Sequence, residues 1–139
     1  MKIIDRIFAG ILILGGLLHG VGSFHLYRNE PMTLLWSLCA SPLALLIAAV
    51  NLLRVERPGD RPLAWISFAG SLSWAVAAFI AGVLIGNVFD PRPMMHWVTA
   101  LVLAGFSLKA ALNRGNAKAR GVAQQTWRKP IPGVCDTAR

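Results

Sequence analysis

Leu63-Ala-Trp-Ile-Ser-Phe-Ala-Gly-Ser-Leu-Ser-Trp-Ala-Val-Ala-Ala-Phe-Ile-Ala-Gly-Val-Leu-Ile-Gly-Asn-Val88 contains no Asp, Glu, Lys, Arg or His. Crossing the hydrocarbon core of a bilayer takes about 20 predominantly apolar residues of helix. A surface helix of a soluble protein would need a polar face, and this stretch has none wide enough. Three further stretches meet the same length criterion: Ile7–Tyr27, Met32–Leu53 and Met94–Asn113. Pro31 and the breaker-rich run Arg54-Val-Glu-Arg-Pro-Gly-Asp-Arg-Pro62 separate them, as does the Asn87–Pro93 segment. Connectors this short make successive helices antiparallel neighbours. The predicted fold is an all-α integral membrane protein, an antiparallel four-helix transmembrane bundle over residues 1–113. A basic, flexible cytoplasmic tail is expected over 114–139.

Composition agrees. Of 139 residues, 55% are hydrophobic and 14% charged, with mean hydropathy +0.57; soluble domains carry about 25% charged residues. The net charge of +8 could point to nucleic acid, but its placement argues for topology. With the N-terminus inside, Lys2, Arg6, Arg54, Arg57, Arg61, Lys109 and every basic residue of the tail fall on the cytoplasmic side. Only Arg28 and Arg92 fall outside. Lys and Arg accumulate on that inner side. Both termini are therefore expected in the cytoplasm of a multi-pass protein of the cell's inner membrane. Anionic lipid headgroups are the default partner, and nucleic acid is not expected. The first residues also have the form of a signal peptide. Removing them would leave three spans and disturb the charge balance, so they are read as the first helix.

Each span separates into a small or polar stripe and an oily one at helical spacing. Gly15, Gly16, His19, Gly20 and Ser23 share one face of the first span. Ser37, Ala44, Ala48 and Asn51 share one on the second, Ser67, Ser71, Trp74 and Gly82 on the third, and His96, Ala100, Ala104 and Ser107 on the fourth. Lipid is as apolar as Leu, so small residues rather than large ones bring membrane helices together. Gly16-x-x-x-Gly20 and Gly82-x-x-x-Gly86 are the expected packing pairs. Pro42 should kink the second helix, with Ser37 and Ser41 serving freed backbone groups.

His19 is the strongest candidate for chemistry, because an ionisable group deep in a span is costly unless it has a use or a partner. Ser23, Ser37 and Trp74 are the neighbours expected to shape a ligand or partner site with it. The alternative is a neutral imidazole that merely satisfies an adjoining helix. His25, His96 and Asp90, near the outer interface, form a weaker metal-binding set that matches no established spacing. His96 is expected about two turns from the depth of His19, which disfavours a haem held by both. Cys39 and Cys135 fall on a span and the tail, so no dithiol chemistry is expected. No carboxylate lies inside the four stretches, and there is no catalytic triad, H-E-x-x-H or phosphate loop. The expected role is a small non-catalytic accessory subunit of a membrane complex. It would pack against a larger protein or itself and hold a lipid or hydrophobic cofactor of unknown identity. A small oligomeric transporter or channel, and a membrane enzyme or quinone site centred on His19, are the alternatives.

Overall fold

The computed structural model describes residues 2–113, which form four helices joined by short turns, with no strand among them. The helices are α1 (Lys2–Leu26), α2 (Pro31–Glu56), α3 (Arg61–Leu84) and α4 (Pro91–Leu112). With 22 to 26 residues each and a rise of ~1.5 Å per residue, they are about 33–39 Å long. All four are long and apolar enough to cross a membrane, which marks the chain as a membrane protein. Trp127, Cys135 and the rest of the 114–139 tail lie outside the described residues.

The helix starts follow from local chemistry. Pro31, Pro62 and Pro91 occupy first-turn positions, where a missing N–H costs nothing. Asp60 Oδ1 accepts from the Leu63 amide at 3.1 Å, and Asp90 Oδ1 from the Arg92 amide at 2.9 Å. Each bond satisfies an amide left free by the first turn. α2 continues through Pro42.

α3 ends four residues before the apolar stretch does. Gly86, at φ +76°, turns the chain back, and the Asn87 amide donates to the Gly82 carbonyl. The expected Gly82–Gly86 packing pair therefore does not form. A Cβ on Gly86 would meet open space, whereas one on Gly82 would lie 3.1 Å from Val88 Cα. Hydropathy misses this end because Ile85 and Val88 are as apolar as the helix they follow. On α1, Gly16 lies against Ala44 and Leu45, and Gly20 against Ser41.

The most extensive contacts are α1 with α2 and α3 with α4. The α1–α4 and α2–α3 contacts are smaller, and α2 and α4 barely touch. Ala9, Leu12, Ala44, Ile47, Ala48 and Leu103 form the buried apolar core, with Phe8, Ile13, Leu52 and Trp74 packed against it. The α4 stripe is as expected: His96, Ala100, Ala104 and Ser107 are all buried, and Val98 and Leu101 are exposed. On α3, Leu72, Val76, Phe79 and Val83 face outward. The buried positions of α3 and α4 are mostly small residues, as expected where lipid replaces water.

Candidate functional site: two buried polar centres

The first centre lies at the end of the bundle where α1 begins and α2 ends, and was not foreseen. α1 starts at Lys2 rather than Ile7, and α2 runs on to Glu56. Asp5 and Arg54, read as lying outside the spans, are thereby brought onto facing turns of two packed helices. Arg54 Nη2 donates to Asp5 Oδ1 at 2.6 Å, and both side chains are more than nine-tenths buried. A second pair, Arg6 with Glu56, lies beside it but is exposed.

One turn along α2, Asn51 is fully buried. Its Nδ2 donates to Ser71 Oγ and to the Ile47 carbonyl, each at 2.9 Å. Its Oδ1 lies 3.0 Å from Ser107 Oγ and 3.5 Å from Arg54 Nη2. The Ser107 hydroxyl has one proton, which serves either Asn51 Oδ1 or the Leu103 carbonyl at 2.8 Å. One continuous network thus touches all four helices: Asp5 from α1, Arg54 and Asn51 from α2, Ser71 from α3 and Ser107 from α4. Ser67 adds a bond to the Val50 carbonyl at 3.4 Å, and Arg61 one to the Ala111 carbonyl at 3.2 Å.

The second centre contains His19. Its ring stands edge-on to that of His96, with centroids 6.0 Å apart, and His96 stands edge-on to Trp74 at 5.8 Å. The sequence expectation that His96 lies two turns from His19 is therefore wrong. α4 begins at Pro91, placing His96 further along its helix than a start at Met94 implies, and Gly15 admits the ring against α1. A Cβ on Gly15 would fall 3.0 Å from both His96 Cε1 and Met95 Cε. The depth argument against a shared haem falls with it.

The expected neighbours of His19 divide. Trp74 joins the centre through His96, with its Nε1 buried and unpartnered among the described residues. The Ser37 backbone lies near the His19 ring. Ser23 donates instead to the His19 carbonyl at 2.7 Å, so it closes its own helix turn. Ser41, expected to serve backbone groups near Pro42, has a buried Oγ with no partner among the described residues. His25 is exposed beside Phe24. Asp90 caps α4 and pairs with Arg92. The His25, His96 and Asp90 set is thus dispersed. Among the described residues no three His, Cys, Asp or Glu side chains come together. Cys39 is exposed.

Between the two centres lies apolar packing: Leu12 and Leu103 are buried to 1% and 0% exposure, with Ala44 and Ala48 at 0%. Outside the bundle, a shallow groove of about 130 Å³ runs along the α2–α3 seam, lined by Leu46, Ile47, Val50, Ile66, Ser67 and Gly70. No family model matches the chain, and no curated protein or solved structure matches it.

Proposed function

We propose that the protein is a small non-catalytic subunit of a membrane complex: an antiparallel four-helix bundle that docks through its outer surface on a larger membrane protein or on another copy of itself. Both termini and the Arg57–Asp60 turn face the cytoplasm of the inner membrane in this reading. The observation that carries it is on α3. Ala69, Ser73, Ala77 and Ala81 are exposed at four-residue intervals, while Ser67, Ser71, Ala75, Ala78 and Gly82 fill the bundle's own interior. The exposed stripe is unused by the chain itself, and small residues at this spacing let a partner helix approach closely. The layer of Leu12, Leu103, Ala44 and Ala48 between the polar centres supports a packing role over a conducting one. The α2–α3 groove has the apolar lining and shape of a place for a lipid acyl chain, with anionic headgroups drawn to the basic inner side.

Fusion reporters test the topology. Reporters at Gly59 and after Asn113 should give cytoplasmic signals, and one at Asn29 an outward signal. An outward signal at Gly59 would reverse the orientation. Copurification from native membranes tests the docking. Ser73→Leu and Ala77→Leu should each lower recovery of a stoichiometric partner about tenfold, equivalent to ~1.4 kcal/mol of binding, with unchanged melting in detergent. An unaccompanied monomer from gentle extraction, or partner recovery indifferent to both substitutions, would defeat this reading; solute flux through a homo-oligomer would favour a transporter.

A further inference from the structure

We infer that the bundle has a pH-operated opening. Protonation of the facing His19 and His96 rings swings the α1–α2 pair away from the α3–α4 pair at the end where α1 and α3 finish, and the other end is the hinge. In the orientation proposed above this is the outer end. The opening depends neither on that orientation nor on the docking stripe of α3.

The fastening between the two pairs is one-sided. Hydrogen bonds join them between Asn51 Nδ2 and Ser71 Oγ at 2.9 Å, Ser107 Oγ and Asn51 Oδ1 at 3.0 Å, and Ser67 Oγ and the Val50 carbonyl at 3.4 Å. All three lie toward the end where the Arg57–Asp60 turn links the pairs. Among the described residues, no hydrogen bond or ion pair joins the pairs at the other end. Burial follows the same asymmetry. Residues 31–40 of α2 include none that is buried, whereas seven between Ser41 and Val55 are. Parts of a fold held by few buried contacts open at the lowest free energy.

The loose end also holds polar groups that closure leaves unserved. Ser41 Oγ on α2, Trp74 Nε1 on α3 and His96 Nδ1 on α4 are each buried without a hydrogen-bond partner among the described residues. Each raises the free energy of the closed form, and opening gives it water. At a rise of ~1.5 Å per residue, His19 and His96 lie about 11 and 8 Å along their helices from this end, so a modest separation wets both rings.

The imidazoles supply the control. Their centroids are 6.0 Å apart across the α1–α4 seam. A neutral ring tolerates apolar surroundings, but an imidazolium needs water or a counter-charge, and two at this separation repel. The surrounding elements offer no buried counter-charge among the described residues. On α1, His25 is exposed; on the α1–α2 turn, Arg28 and Glu30 are exposed and Tyr27 is half-buried. The first half of α2 has only Cys39, which is exposed, and α3 has no titratable group from Leu63 to Leu84. On α4, Arg92 is exposed and pairs with Asp90. Protons therefore bind the open form better than the closed one, and falling pH shifts the population toward it.

The test is pulsed electron–electron distance measurement between spin labels on the full chain in lipid nanodiscs, with Cys135→Ser removing the second thiol. Labels on Cys39 and on Ile80→Cys, both exposed positions, report the loose end. Labels on Leu53→Cys and Leu112→Cys, with Cys39→Ala, report the hinge. Between about pH 8 and about pH 5, a range spanning histidine titration, the first distance should lengthen by more than ~2 Å, beyond the helix shifts of a packed state. The second should hold. His19→Gln with His96→Gln should abolish the response, and His25→Gln should leave it intact. Nitrogen-15 NMR of the rings with all histidines in place should show His19 or His96 charging over the pH range in which the distance changes, a readout that survives if the double variant fails to fold. A constant distance, equal lengthening at both ends, a response that survives loss of both histidines, or opening while both rings stay neutral would each overturn the inference.

Discussion

Asp5→Ala should destabilise the protein by about 3–5 kcal/mol, the range seen when one partner of a buried ion pair is removed. The Arg54 side chain is 6% exposed, and its Nε already lacks a partner among the described residues. Without Asp5, the guanidinium would keep only a 3.5 Å contact with Asn51 Oδ1. Arg does not shed its proton in proteins, so the charge stays and must find water or drag the helix end toward it. The converse change, Arg54→Met, should cost less, because a carboxyl left alone can take up a proton. The double substitution Asp5→Leu with Arg54→Met should recover most of the loss, since well-packed apolar residues often replace buried pairs at little cost. Equilibrium unfolding in mixed micelles measures all three. A loss below about 1 kcal/mol for Asp5→Ala, the ceiling of an exposed pair, would show that water reaches this pair freely.

Asn51→Leu should cost about 2–3 kcal/mol. The side chain joins Ser71, Ser107 and Arg54 while remaining completely buried. Individual side-chain hydrogen bonds between membrane helices average about 0.6 kcal/mol and reach ~1.7; the bonds to Ser71 and Ser107 are of this kind, and the substitution also removes the partner that Arg54 faces within α2. Ser107→Ala alone should be much milder, because its hydroxyl already has the Leu103 carbonyl as an alternative acceptor. A double-mutant cycle between Asn51→Leu and Ser71→Ala should show that the losses do not add, as expected for residues sharing a bond. Additive losses would mean that the Asn51–Ser71 bond at 2.9 Å contributes nothing in solution.

The spans were legible because hydropathy averages over a whole helix, and one misplaced residue does not change the result. The inward face of α4 was legible too: small and polar residues recur at helical spacing, and His96, Ala100, Ala104 and Ser107 are all buried. What hydropathy cannot show is where a helix continues past its apolar stretch. Asp5 and Arg54 were set aside as end residues because they are charged, yet each is buried by the other and by the adjoining helix. Asn51 was placed on the correct stripe, but its partners lie 20 and 56 residues away, beyond any local pattern. His19 stood out for its depth. The contact with His96 did not, because it depends on the relative heights of α1 and α4, and a three-residue error in the start of α4 is enough to hide it.

The chain's connectivity adds a matter of timing to Asn51. This residue belongs to the first helical pair, and both of its distant partners belong to the second. The Ser107 contact spans 56 positions of chain, which at a synthesis rate of ~5–20 residues per second takes about 3–11 s to appear. During that interval the first pair sits in the bilayer with an amide group that only its own helix can serve. The newborn first half is therefore adhesive in a way the finished molecule is not, and the arrival of α3 and α4 removes that stickiness by covering it.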